Sequence, residues 1–122
     1  MKIAVTSKSN NLESEIDPRF GRCSYFLIVD TDTMSFEPLS NESAMASGGA
    51  GIQAAQNVAK TGAEVVVTGN MGPNAFQTLS AAGIKVFIGA NGTVKEAVEK
   101  YKKGELKEAE APNVGSHSGM RR

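Results

Sequence analysis

The residues best suited to bind an anion lie between positions 17 and 23, which read Asp-Pro-Arg-Phe-Gly-Arg-Cys. Arg19 and Arg22 flank a Phe-Gly turn and precede Cys23, the only cysteine of the chain. Guanidinium groups offer forked donors to anionic oxygen or sulfur, and they lower the pKa of a neighbouring thiol, which improves it as a metal ligand. We therefore predict that Arg19, Gly21 and Arg22 contact an anionic group and that Cys23 is a metal ligand. The alternative is a surface turn followed by a buried cysteine that packs as a small hydrophobic residue.

The glycine-rich turn Gly48-Gly49-Ala50-Gly51 is the second candidate, because it precedes a predicted helix. Glycine at a helix entry lets backbone N–H groups approach a ligand, and the helix dipole favours negative charge there. The stretch that begins at Gly49 also matches the dinucleotide fingerprint, but a polar stretch separates it from the preceding strand, and Asn70 stands where an acid should bind the ribose. We predict an anion-binding turn. The alternative is a loop that only needs unusual backbone angles.

The periodicity of the apolar residues predicts the elements that position these groups. Runs rich in β-branched and aromatic residues predict strands at residues 2–7, 24–30, 34–39, 64–68 and 84–88. Helical spacing predicts helices at residues 52–60 and 73–82, and a third that opens at a Thr93–Glu96 capping box and ends near residue 103. From residue 104 the chain is polar without an apolar period. We therefore predict one domain over residues 1–103 and a flexible tail over residues 104–122.

The order β-β-β-α-β-α-β-α predicts an α/β fold. The last two strands are rich in Val and Ile, which implies burial on both faces and parallel pairing with the first strand. Because crossovers are right-handed, the first strand is expected in the centre of a mixed five-stranded sheet with helices on both faces, which is the ribonuclease H-like connectivity. The loops after strands one, three, four and five then meet at one edge, where open α/β sheets bind ligands. The loop after strand four adds the candidate binding residues Gly69, Asn70, Met71 and Gly72.

Catalytic residues are absent from the predicted elements. The only histidine, His117, lies in the polar tail beside Met120, and we predict it as a soft-metal ligand, with a solvated tail residue as the alternative. The first strand carries no carboxylate of the kind a ribonuclease H-like nuclease needs to hold magnesium. We therefore predict that the protein is not an enzyme.

Composition restricts the remaining classes of function. The 122 residues include 13 basic and 13 acidic side chains, so the chain lacks the basic surplus typical of proteins that bind nucleic acid through its phosphates. No apolar run approaches the length of a membrane helix, and the N-terminal stretch does not resemble a signal peptide. We expect no nucleic acid partner, no membrane partner and a cytoplasmic location.

Four stretches together resemble the dinitrogenase iron-molybdenum cofactor-binding family, the NifX-like group. They are residues 17–22, 48–51, 67–75 and 82–86, and the resemblance extends over about residues 1–103. It implies a ribonuclease H-like fold that carries an anionic iron–sulfur or molybdenum–iron–sulfur cluster and does not turn over a substrate. Some relatives have tails rich in Gly, His and Met, and residues 115–120 look like a short version of one. The chain departs from the family by having a single cysteine and a single histidine.

Three hypotheses follow from these residues. The first is a carrier or accessory protein that binds a preassembled metal–sulfur cluster and exchanges it with donor and acceptor proteins. Such a cluster is an anion, so N–H donors, guanidinium groups and one displaceable soft ligand would hold it while still allowing its release. The second is a binding module for a small phosphorylated metabolite or nucleotide at the same glycine-rich edge. The third is a regulatory protein-interaction domain without a ligand.

Overall fold

The central strand β1 (Lys2–Ser7) is buried along five of its six residues. It pairs antiparallel with β2 (Tyr25–Asp30), which pairs antiparallel with β3 (Phe36–Ser40). On its other side β1 pairs parallel with β4 (Val65–Val67), which pairs parallel with β5 (Lys85–Phe87). This computed structural model describes residues 1–45 and 48–113. The predicted mixed five-stranded sheet with its first strand in the centre is confirmed, in the order β3-β2-β1-β4-β5.

Helices cover both faces of the sheet, as predicted. The helices α1 (Ala50–Ala59) and α2 (Pro73–Ala81) pack on one face, and α3 (Val94–Lys102) packs on the other. A short 3-10 helix (Glu42–Met45) follows β3. The predicted capping box of α3 is also confirmed, because Thr93 Oγ1 accepts from the Glu96 N–H and Glu96 Oε1 accepts from the Thr93 N–H. None of the described helices is long and apolar enough to cross a membrane.

Two elements begin two residues away from their predicted starts, α1 earlier and β3 later. The helix α1 begins at Ala50, two residues before the predicted start, because Gly49 adopts a left-handed conformation (φ 71°) and ends the preceding loop. Its buried residues are therefore Ala50, Ala54, Ala55 and Val58, whereas Ile52 is 37% exposed. The strand β3 begins at Phe36 because Met34 adopts a positive φ of 62° within the turn that precedes it.

The chain continues past α3 along the outer edge of the sheet. The Ala109 N–H donates to the Val86 carbonyl at 2.8 Å, and Glu108 forms a bridge with Phe87 of β5. The side chain of Ala109 packs against the core on the face covered by α1 and α2. The domain boundary at residue 103 and the flexible tail from residue 104 stay predictions, and these contacts belong to the described part of that segment, residues 104–113.

Candidate functional site

Three loops that leave the carboxyl ends of β1, β3 and β4 surround a cavity of about 350 Å³. This is the edge at which a ligand site was predicted. The loop that follows β5 does not line the cavity. The lining residues are Arg19, Phe20, Gly21, Gly49, Ala50, Gly51, Ile52, Asn70, Met71, Gly72, Pro73, Asn74 and Ala75.

The N-termini of two helices converge on this cavity. The helix α1 begins after Gly49 and α2 begins after Gly72, and no side chain of the described residues caps either end. The first backbone bonds within these helices are donated by Gln53 and Phe76, so the N–H groups of residues 50–52 in α1 and of residues 74 and 75 in α2 have no acceptor within their helix. Pro73, the first residue of α2, has no N–H to donate. Each helix start also carries a partial positive charge of about half a unit. The cavity is therefore suited to an anion that accepts several hydrogen bonds.

Two glycines allow the loops around the cavity to approach one another. A Cβ atom on Gly21 would lie 3.2 Å from the backbone N and Cα of Gly51, at the start of α1. A Cβ atom on Gly69 would lie 2.8 Å from the Cα of Pro18. Beside this second contact the Asn70 N–H donates to the Pro18 carbonyl at 2.8 Å. Gly69 therefore joins the loop after β4 to the loop after β1, and it does not itself line the cavity.

Arg19 is the only charged residue that lines the cavity among the described residues. Its backbone N–H, Nε and Nη2 donate to the Asp17 carboxylate at 3.0, 3.1 and 3.1 Å. Burial of Asp17, which is 3% exposed, acts to raise the pKa of its carboxyl group, but the hydrogen bonds and charge of Arg19 outweigh this effect and lower that pKa. The Asp17 carboxylate therefore stays ionised and fixes the guanidinium at the mouth of the cavity, where 65% of the Arg19 side chain is exposed.

Arg22 and Gly48, both predicted binding residues, lie outside the lining of this cavity. The Arg22 Nη1 donates to the Ala44 carbonyl at 2.6 Å, which ties the loop after β1 to the 3-10 helix. Gly48 is exposed, and a Cβ atom placed on it would meet nothing within 4 Å. The predicted ligand His117 lies outside the described residues.

Cys23 is buried, and the pKa of its thiol shifts in the direction opposite to our prediction. Its Sγ donates to the Phe20 carbonyl at 3.4 Å, and the Asn41 Nδ2 approaches the same sulfur at 3.8 Å. Burial, followed by the charge of Asp17, raises the pKa of the thiol to about 12. The prediction that nearby arginines lower this pKa is therefore wrong, because the loop turns the sulfur into the core, away from the cavity. The described residues also contain no group of three or more His, Cys, Asp or Glu side chains that could hold a metal ion.

Several residues that the structure brings to the cavity were not among the predicted binding residues. Phe20, Ile52 and Asn74 line it, and Asn113 contacts its rim from the C-terminal segment. One signal was available, since a proline at position 73 marks the first turn of a helix and hence a helix N-terminus at this edge. The contact of Asn113 had no signal, because it joins residues 42 positions apart.

Comparisons with known proteins agree with this architecture. The chain is 47% identical to the apo form of the orange protein from Desulfovibrio gigas, with a TM-score of 0.89 over 92% of this chain and 95% of that one. It is 38% identical to a NifB-type protein from Thermotoga, with a TM-score of 0.77 over 88% of this chain and 91% of that one. It is 28% identical to the Methanocaldococcus jannaschii protein MJ0580 over 113 residues, which cover 90% of this chain and 92% of that protein. The family model described as dinitrogenase iron-molybdenum cofactor matches residues 1–104, and the chain belongs to this family.

Proposed function

We propose that this protein is a non-catalytic carrier that binds an anionic iron–sulfur or molybdenum–iron–sulfur cluster in the cavity and exchanges it with donor and acceptor proteins in the cytoplasm. The observation that carries the proposal is the convergence of two helix N-termini, without side-chain caps from the described residues, on one cavity with Arg19 at its mouth. The family match supports an association with an iron-molybdenum cofactor. The strand order also supports describing the fold as ribonuclease H-like.

The chemistry of the lining suits a preassembled cluster. Sulfide atoms at the surface of such a cluster carry negative charge and accept hydrogen bonds from backbone N–H groups, which the first turns of α1 and α2 supply. The guanidinium of Arg19 adds a full positive charge with forked donors. Met71, which is buried in the wall of the cavity, adds a soft and polarizable surface. Hydrogen bonds and charge hold an anion reversibly, as a carrier requires.

The proposed contacts are the predicted residues that line the cavity. These are Arg19, Gly21, Gly49, Ala50, Gly51, Asn70, Met71 and Gly72. We propose that Arg22 and Gly69 shape the loops, since each joins two of them. Cys23 is not included as a ligand, because its neutral thiol is buried away from the lining. A ligand role for His117 stays a prediction.

Anaerobic reconstitution tests the proposal. The protein is incubated with iron, sulfide and molybdate and desalted, and the metal per chain and the visible absorption are then followed with time. Arg19→Ala is compared with Lys102→Ala, which removes an exposed positive charge from α3 on the opposite face of the sheet. A charge-assisted hydrogen bond contributes roughly 1.5–3 kcal/mol, and the exposure of Arg19 reduces this, so we expect metal loss to be about tenfold faster in Arg19→Ala.

Two results would contradict the proposal. One is a wild-type protein that retains no metal after desalting. The other is equal retention by wild type, Arg19→Ala and Lys102→Ala, which would place the cluster elsewhere. Displacement of the bound metal by excess inorganic phosphate would favour the phosphorylated-ligand hypothesis, which the comparisons do not support.

A further inference from the structure

Asn113 contacts the rim of the cavity although it lies beyond residues 1–104, which the family model matches. Its side-chain Oδ1 accepts from the Met71 N–H at 2.7 Å, and its own backbone N–H donates to the Met71 carbonyl at 3.1 Å. Its Nδ2 donates to the Asn70 Oδ1 at 2.9 Å. One residue therefore engages both polar groups of the Met71 backbone and also the neighbouring side chain.

These contacts fix the part of the turn that follows Gly69. On its inner side the turn is joined to the loop after β1, where the Asn70 N–H donates to the Pro18 carbonyl, next to Arg19. On its outer side the Gly69 carbonyl accepts from the Gly89 N–H at 2.9 Å, and the contacts to the Asn70 side chain and the Met71 backbone come from Asn113. The turn leads directly into α2, whose first residues line the cavity. Movement of this turn would therefore shift the backbone donors of α2 relative to those of α1.

The segment that carries Asn113 is itself anchored. The Ala109 N–H bonds to the Val86 carbonyl at the edge of the sheet, four residues before Asn113. Asn113 is thus held near the turn by a segment that is already attached to the fold. Because this segment is already ordered, the three hydrogen bonds of Asn113 must offset a smaller loss of conformational entropy.

We propose that Asn113 is a positioning residue for the cargo site, and that it holds the Asn70–Met71 rim in the form that binds the cluster. This inference rests on the proposed function. The opposite role would be competition, because Asn113 occupies the Met71 N–H that could otherwise donate to the cargo. The two further bonds, to the Met71 carbonyl and to the Asn70 side chain, take no donor from the cavity and favour positioning.

Asn113→Ala tests this role, with Glu110→Ala as the control at an exposed position of the same segment. The first measurement is amide hydrogen exchange at Met71 in the cargo-free protein, which reports local opening of the turn. The second is the rate of metal loss after anaerobic reconstitution with iron, sulfide and molybdate. Because the substitution removes two side-chain hydrogen bonds, we expect both rates to rise about tenfold in Asn113→Ala and to stay at the wild-type values in Glu110→Ala.

Each of the other results would contradict a different step of this inference. Unchanged exchange at Met71 would show that Asn113 does not hold the turn. Faster exchange with unchanged metal loss would separate the turn from cargo binding, and slower metal loss would make Asn113 a competitor, so both results overturn the inference while leaving the proposed function intact. A wild-type protein without retained metal would overturn the proposed function and, with it, the role of Asn113 in binding.

Discussion

Replacement of Gly69 by alanine is a direct test of how the loops around the cavity are assembled. The added Cβ would lie 2.8 Å from the Pro18 Cα and 2.9 Å from the Pro18 Cβ. Ordinary van der Waals contact for such atoms begins at 3.4 Å, so the two segments must separate by about 0.6 Å. Gly69 does not have a positive φ, so the strain in the variant comes from the close approach alone.

Pro18 cannot retreat at low cost. Its carbonyl accepts from the Asn70 N–H, and the residue before it, Asp17, is anchored to β1 because the Asp17 carbonyl accepts from Thr6 Oγ1 at 2.6 Å. Overpacking at a constrained site typically costs about 1–3 kcal/mol. For a domain of this size each kcal/mol lowers Tm by about 3–6 °C, so we expect Gly69→Ala to melt roughly 5–15 °C below wild type.

Gly48→Ala is the matched control, since its Cβ would meet no atom within 4 Å. Its Tm should equal that of wild type or exceed it slightly, because alanine restricts the unfolded chain more than glycine does. Thermal melts of the cargo-free proteins, followed by circular dichroism, measure both effects. Equal Tm values for Gly69→Ala and Gly48→Ala would refute the close approach of the two loops.

At three other sites the structure predicts the direction in which a substitution or a change of pH alters stability or thiol reactivity. Gly49→Ala should destabilise the fold by about 1–2 kcal/mol, because φ is 71° there, and a thermal melt beside Gly48→Ala measures the loss. Cys23 should not react with iodoacetamide at pH 8 until the protein unfolds, and fast alkylation of the native protein would contradict the burial of the thiol. The Cys23→Ser variant should retain as much metal as wild type after reconstitution. Folding raises the pKa of the Cys23 thiol from 9.0 to about 12. The contribution of this thiol to stability is therefore complete below about pH 9 and is lost as the pH rises towards 12. Denaturant titrations of Cys23→Ala should lack this pH dependence. The pKa of Asp17 is lowered on folding, so its contribution is present above about pH 4 and lost in more acidic solution. The free energy of unfolding should therefore fall less steeply below pH 4 in Asp17→Asn than in wild type, and equal slopes would show that the Arg19 pair does not stabilise the fold.

The architecture of this protein could be predicted from sequence because it depends on local patterns. The apolar run that became β4 is buried at all three residues, as burial on both faces of a parallel strand requires. The run that became β5 also pairs parallel, but it lies at the edge of the sheet, where only Val86 is buried. The capping box at Thr93 fixed the start of α3 through contacts within four residues. The region of the site followed as well, since strand direction alone brings the loops after β1, β3 and β4 to one edge.

The composition of the site was decided by tertiary structure. Cys23 directly follows Arg22 in sequence, which suggested a reactive thiolate, but the turn of the chain places its sulfur in the core, where burial keeps the thiol neutral. Asn113 lies in a polar stretch without periodicity, yet the path of the chain past β5 brings it to Met71. Sequence spacing carries the information for contacts within an element, whereas contacts between loops depend on where separate elements end in space. The strand order and the helices could therefore be predicted from the sequence, whereas the set of residues that surrounds the cavity is known only from the tertiary structure.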